Sequence, residues 1–357
     1  MQDMKNLFHD SYREARDAFL TTAEKQGWSV KSYDHPKAGP HGGNLAADVA
    51  LKGEPGADSM LVTISGTHGI EGAAGSACQL AWLMADLPRK PAVVHIHAIN
   101  PYGFAWRRRV DHRNIDVNRN FIDFAKPLPA NPSYDELADS LAPDIWDDIS
   151  DQISRIAWRD FIARNGEQVF AQAIMLGQYH HREGLYFGGD GPCWSRKIFK
   201  QIVEEHAADT KNLLIVDLHT GLGARGQADL ICRQSDDSDA MRRARLWFGE
   251  NVHAPVALAN IPAEVSGALR SAPERWLTNT DVTALAVEFG TYPADKVFDA
   301  IRADNWLHHH GDLDSPRGQA IKATMREMFC PQDPVWREQV IGQAKDIQEK
   351  AIHALKT

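Results

Sequence analysis

Four short apolar runs, LVTISGT (61–67), AVVHIHAI (92–99), NLLIVDLHT (212–220) and TALAVEF (283–289), are spaced by stretches with helical periodicity. Runs apolar along their whole length belong to strands covered on both faces, and strands separated by helices join in parallel through crossovers. The expected fold is therefore α/β, with a mixed, mostly parallel central sheet covered by helices on both faces. EGAAGSACQLAWLMAD (71–86) and residues 194–208 supply two covering helices, and short strand-like pieces lie near 28–34 and 45–52. The N-terminal stretch reads as an amphipathic helix. Its apolar residues Leu7, Phe8, Tyr12, Ala15, Phe19, Leu20 and Ala23 predict about six turns ending at Gly27.

Residues 125–182 break this rhythm with Pro127, Pro129, Pro132 and Pro143, followed by polar helical sequence. They read as a helical insertion within one domain spanning 1–357, and residues 315–356 read as two helices packed on the body. The chain carries 39 basic and 48 acidic side chains, a net charge of −9. That balance argues against a nucleic-acid partner, which needs a basic face, and Arg107-Arg108-Arg109 is too short a run to reverse it. No apolar run approaches the roughly 18 residues of a membrane span. Cys78, Cys193, Cys232 and Cys330 are far apart and read as reduced thiols. With no signal-peptide pattern at the N-terminus, the expected location is cytoplasmic.

In open α/β sheets, chemistry gathers beyond the carboxyl ends of the strands. Three of the four runs end there in metal-capable or acidic residues: His68 and Glu71 after the first, His219 in the third, Glu288 in the fourth. A catalytic zinc commonly takes two histidines and a glutamate and keeps its fourth position for water. His68 and Glu71, three residues apart in a tight turn, can face one ion.

Two other patterns compete. His95 and His97, two apart on one strand, would face the same side, as in barrel-type metal-dependent amidohydrolases; the blander reading is a pair of hydrogen-bonded histidines in the sheet. The arginine run could instead mark a non-catalytic anion-binding protein. Gly221-Leu222-Gly223-Ala224-Arg225-Gly226 matches GxGxxG, but QADLICR behind it is strand-like. The next helix is expected only after Ser235, so a nucleotide loop is disfavoured.

The run HAINPYGFAWRRRVDHRNIDVNRNFID (97–123), set between the candidate ligands, resembles the substrate-binding stretch of the zinc carboxypeptidase superfamily, which includes the succinylglutamate desuccinylases and aspartoacylases. The similarity extends over about residues 60–292 and is closest to an uncharacterised branch. It implies one Zn2+ per chain held by His68, Glu71 and His219, with Asp116 bonded to a ligand imidazole. By the same resemblance Asn118 and Arg119 would grip a substrate carboxylate, Arg109 would face the oxyanion, and Glu288 would be general base and then acid. Tyr186 and Tyr292 are the candidates for a tyrosine covering the substrate's terminal residue. The implied activity is hydrolysis of an amide or peptide bond in a small molecule or short peptide with a free carboxylate, by a carboxypeptidase or an N-acyl amino-acid deacylase.

Overall fold

The computed structural model describes residues 7–86, 90–232, 234–254 and 267–356. Its elements run α1 (Tyr12–Lys25), β1 (Ser29–Asp34), β2 (Ala46–Lys52), β3 (Ser59–Ile64), α2 (Gly72–Leu83), β4 (Ala92–His97) and α3 (Pro101–Ala105). Then come α4 (Pro132–Leu141), α5 (Asp148–Asn165), α6 (Glu167–Met175), α7 (Trp194–Ala207), β5 (Asn212–Gly221), β6 (Ala228–Cys232) and α8 (Asp239–Phe248). The chain closes with α9 (Pro273–Trp276), β7 (Asp281–Gly290), α10 (Ala294–His310), α11 (Pro316–Phe329) and α12 (Pro334–Ala354).

The seven strands form one open sheet in the order β1-β2-β4-β3-β5-β7-β6. Its centre, β4-β3-β5-β7, is parallel, while β1, β2 and β6 are joined by antiparallel pairings at the two edges. The expected mixed α/β sheet is thus the observed one. One face is covered by α1, α2, α8 and α12, the other by α7 with the segments Ile115–Phe121 and Leu269–Leu277, the latter including α9. Every residue of α2 is buried. A helix apolar all round fits only where it is covered on all sides. α2 lies between the sheet and α1 and α12, and Trp82 Nε1 donates to the Ala344 carbonyl of α12 at 2.8 Å. Helices α4, α5 and α6, inside the stretch read as an insertion, share a third apolar cluster with α10 and α11.

Several expectations are corrected. α1 starts at Tyr12, because Ser11 caps it: its Oγ accepts from Glu14 N at 3.2 Å, and the Glu14 carboxylate accepts from Ser11 N at 3.1 Å. The reciprocal pair fixes a start the apolar spacing ran through, and residues 1–6 of that reading lie outside the described residues. α8 is capped by Ser238, not Ser235. The sheet is open, so the barrel-type amidohydrolase has no scaffold here, and His95 and His97 are fully buried beneath α1 and α2. Nor do the three arginines form a surface stripe. Arg108 is buried against Asn114 and Asp304, while Arg109 turns into the sheet's carboxyl edge. After β5 the glycine loop leads into β6, with no helix opening on it. No described helix is long and apolar enough to cross a membrane.

Candidate metal centre

β3, β5 and β7 are adjacent or nearly so in the parallel centre, and their carboxyl ends meet at one edge. β3 gives way to a turn in which His68 precedes the short 3-10 segment Gly69–Glu71, which continues into α2. The β5–β7 register pairs His219 with Glu288. Main-chain pairing alone therefore places the general-base candidate beside one ligand candidate.

The turn carrying His68 and Glu71 is locked to the segment carrying Arg109. Gly69 N–H donates to the Arg109 carbonyl at 3.1 Å and Ile70 N–H to the Arg108 carbonyl at 2.7 Å. The backbones pack so closely that a Cβ on Gly69 would lie 2.0 Å from the Gly103 carbonyl carbon, and one on Gly72 2.5 Å from Phe104 Cδ1. Only glycine fits at either point.

His68, Glu71 and His219 are buried and each offers a ligand atom within 4.8 Å of the others. Both imidazoles turn Nδ1 inward: His68 Nδ1 is 2.8 Å from Glu71 Oε1, and His219 Nδ1 is 2.8 Å from Glu71 Oε2. Their Nε2 atoms point to carboxylates behind, His219 to Asp217 at 2.8 Å and His68 to Asp116 at 3.5 Å. Two inward nitrogens, one carboxylate and a carboxylate behind each ring make a donor set that fits a divalent ion, because an outer acid fixes the tautomer that leaves Nδ1 free to ligate. The 3.5 Å contact is longer than a hydrogen bond, and the 2.8 Å approach of His219 Nε2 to Asp217 Oδ2 is an ion-pair contact without hydrogen-bond alignment.

The charges are strongly coupled. Burial opposes ionisation of Glu71, but the imidazoles of His68 and His219 outweigh it and hold the carboxyl at about 2. Burial likewise opposes a charge on His219, yet Asp217 and Glu71 raise it well above the ordinary histidine value. Asp116 is held well below the carboxylate range against its own burial by Arg109 and His68. Glu288 goes the other way: burial and the Glu71 charge push it up to about 7, while its Oε1 accepts from Leu222 N–H at 3.0 Å.

Arg109 joins these groups, its Nε 2.9 Å from Asp116 Oδ2, Nη2 2.7 Å from His68 Nε2 and Nη1 3.8 Å from Glu71 Oε1. An ion at His68 Nδ1 would leave Nε2 protonated, making Asp116 its compatible partner in place of Arg109. Tyr186 lies under the Arg109 guanidinium, 5.1 Å from centroid to Cζ, and takes φ +54°. A non-glycine residue in that region is strained and is held by its surroundings. Asn118 Oδ1 is occupied by Leu269 N–H at 2.9 Å, which leaves its NH2 group as the part free for a ligand. Arg119 Nη1 bonds the Asn118 carbonyl at 2.9 Å, and its Nε has no partner among the described residues. Tyr292 packs on the same apolar cluster as Ile70 and Tyr186, with its hydroxyl on Glu327 at 2.5 Å and Arg225 over its ring.

Sequence reasoning missed Asp217. Its Oδ1 accepts from Thr67 Oγ1 at 2.7 Å, so the residue before His68 steadies the acid behind His219. The signal was available: in VDLH the acid is two residues before the histidine, on the same face of the strand.

A family model described as a protein of unknown function, DUF2817, matches residues 8–343. The chain belongs to that family. A search of curated proteins finds no match. Among solved structures, the chain is similar to the murein-tripeptide amidase MpaA of Escherichia coli O157, with 14% identity over 84% of this chain and 95% of that one and a TM-score of 0.38. It is also similar to a succinylglutamate desuccinylase/aspartoacylase from Rhodobacter sphaeroides (12% identity, 81% and 66% covered, TM-score 0.38). A third is thrombin activatable fibrinolysis inhibitor (12% identity, 96% and 77% covered, TM-score 0.45). Likenesses this distant do not bear on chemistry, which has to be read from the site's own residues.

Proposed function

We propose that the protein is a metal-dependent hydrolase that cleaves an amide or peptide bond in a small carboxylate-bearing substrate. The observation that carries this reading is the convergence of His68, Glu71 and His219 within 4.8 Å at the sheet's carboxyl edge, with Glu288 in register beside His219. Two nitrogens and one carboxylate suit zinc best among the common divalent ions. An ion held there supplies Lewis-acid polarisation of a carbonyl and lowers the pKa of a water from 15.7 towards roughly 7.

The chain's own groups account for the remaining needs of the reaction. Glu288, raised to about 7, is poised to accept a proton from the attacking water and return it to the departing nitrogen. Arg109 presents a fixed cation on the ligand cluster, where negative charge would develop on the carbonyl oxygen. The Asn118 NH2 group and Arg119 supply donors for a substrate carboxylate, and a guanidinium can bond both oxygens at once. Carboxypeptidase and N-acyl amino-acid deacylase chemistry share this arrangement, so both belong to the proposal.

The test is elemental analysis of the purified chain together with hydrolysis of N-acyl amino acids and short peptides with free carboxyl ends. Turnover abolished by chelator and restored by zinc supports the reading. Stoichiometric metal that persists in His219→Ala refutes the ligand assignment.

A further inference from the structure

Seven large apolar side chains are exposed among the described residues, and four of them, Ile145, Ile149, Ile153 and Ile156, fall within residues 145–156. Single exposed apolar residues are ordinary on a protein surface, whereas a contiguous stripe marks a contact surface. Helix α5 carries most of this one. Its inner face, Ser154, Trp158 and Phe161, is buried, with Trp158 against Phe298 of α10 at a centroid distance of 5.7 Å. Ile149, Ile153 and Ile156 follow one another at spacings of four and three, which lines them up along the opposite side, where they are 70%, 61% and 48% exposed. The same spacing continues through Asp160 to Ala163, both exposed, and is that of a heptad seam.

The charges beside the seam select its occupant. The approach to α5 and its first turn carry Asp144, Asp147, Asp148 and Asp151, and its second half carries Arg155, Arg159 and Arg164. Several of these are spent within the chain: Arg155 bonds Asp151 and Asp299, each at 2.7 Å, and Arg164 bonds Glu136 at 2.6 Å. Asp148 and Arg159 are exposed and make no ion pair among the described residues; Arg159 Nε reaches only the Arg155 carbonyl, at 3.4 Å. About three helical turns separate the two, so they stand on one flank of the seam. A membrane surface fits this face poorly, since a lipid-facing helix carries lysine and arginine beside its apolar stripe, and here the stripe begins among aspartates. A second copy of α5 running antiparallel fits well. With Ile153 opposite Ile156 of the second copy, Asp148 falls opposite the second copy's Arg159, and two-fold symmetry makes that match twice. Asp160, which interrupts the apolar line, then lies at the first turn of the opposing helix, where the dipole favours an acid.

We propose that α5 pairs with its own copy about a two-fold axis between Ile153 and Ile156, so that the chain dimerises through its helical insertion. The inference stands apart from the hydrolase reading. Each copy uses the same patch, so the assembly closes at two chains. One helix and its flanks form an interface at the small end of protein–protein contacts, and association in the micromolar range is expected.

The experiment is sedimentation velocity on the full-length protein between about 1 μM and about 300 μM. A monomer–dimer equilibrium with no larger species is expected. Ile153→Asp should weaken it by about 100-fold or more, because it sets an unpaired acid in the middle of the apolar line, and Ile153→Ala should weaken it less. The position is exposed, so the melting temperature of either variant as a monomer should match that of the wild-type monomer. If Ile153→Asp fails to fold, Ile153→Ala still decides. Asp148→Arg would face Arg159 of the second copy and should weaken the dimer by about 3–10-fold, as should Arg159→Asp. The doubly exchanged chain, Asp148→Arg with Arg159→Asp, should recover the wild-type affinity, a result that only the antiparallel pairing produces. A chain monomeric at every concentration, whether or not it floats with phosphatidylcholine vesicles, overturns the proposal. So does a dimer unmoved by both Ile153 variants, an assembly larger than two, or an exchanged chain as weak as the single variants.

Discussion

His95 and His97 on β4 should make this protein acid-sensitive by a calculable amount. Both are 0% exposed. Thr63 Oγ1 lies 2.7 Å from His95 Nδ1 and accepts from Gln79 Nε2 at 3.1 Å, while His95 Nε2 has no partner among the described residues, so a ring protonated at both nitrogens would leave one N–H without an acceptor. The His95 ring is packed against Trp28 and Trp82, and His97 is stacked 4.5 Å from Phe19. Burial lowers His95 to about 3 and His97 to about 4. The unfolded chain takes up these protons near pH 6.5 while the native chain refuses them, so stability is lost as pH falls below about 6.5 and continues to fall towards the native values. Each unit of pH inside that window costs about 1.4 kcal/mol per imidazole. From pH 7 to pH 5 the loss is about 2 kcal/mol for each ring and about 4 kcal/mol for the pair. Urea unfolding of the wild type and of a His95→Gln, His97→Gln chain at both pH values measures it. The double variant should be less stable at pH 7 yet lose about 4 kcal/mol less on acidification. The depressed carboxyls of Glu71 and Asp116 are common to both chains and cancel. If the two chains lose stability equally, the imidazoles are not held neutral in the core and the reasoning fails.

Glu288→Gln should retain metal but lose about 10²–10⁴ in turnover, seen as full zinc content beside a collapsed kcat; normal turnover would remove Glu288 from the reaction. Arg109→Ala should lose about 10²–10³ in kcat, with Arg109→Lys between it and the wild type. An inert Arg109→Ala would leave this arginine a purely structural role. Gly69→Ala forces a methyl to within 2.0 Å of backbone, so it should destabilise by about 3 kcal/mol or more, read from the denaturation midpoint.

The strands were legible because a fully covered strand leaves a continuous apolar run, and the observed ends lie within a few residues of the expected ones. The His68, Glu71 and His219 convergence was legible for a related reason: parallel strands align their carboxyl ends, so residues placed alike in sequence meet in space. Helix starts were harder. Apolar spacing is blind to caps, and at Ser11 and Ser238 a side-chain bond to a backbone N–H overrode it. Sequence context marked Asn118 for a substrate, but half of its amide is spent on Leu269.

The contact between Gly69 and Gly103 ties two motifs into one rigid block. Neither the HGIEG turn nor the NPYGF helix can drift in sequence or position without the other, because each supplies the flat surface against which its counterpart rests. Transplanting His68 and Glu71 to a foreign scaffold would therefore require carrying residues 68–109 together, and insertions in this lineage should accumulate elsewhere, in the loops facing solvent.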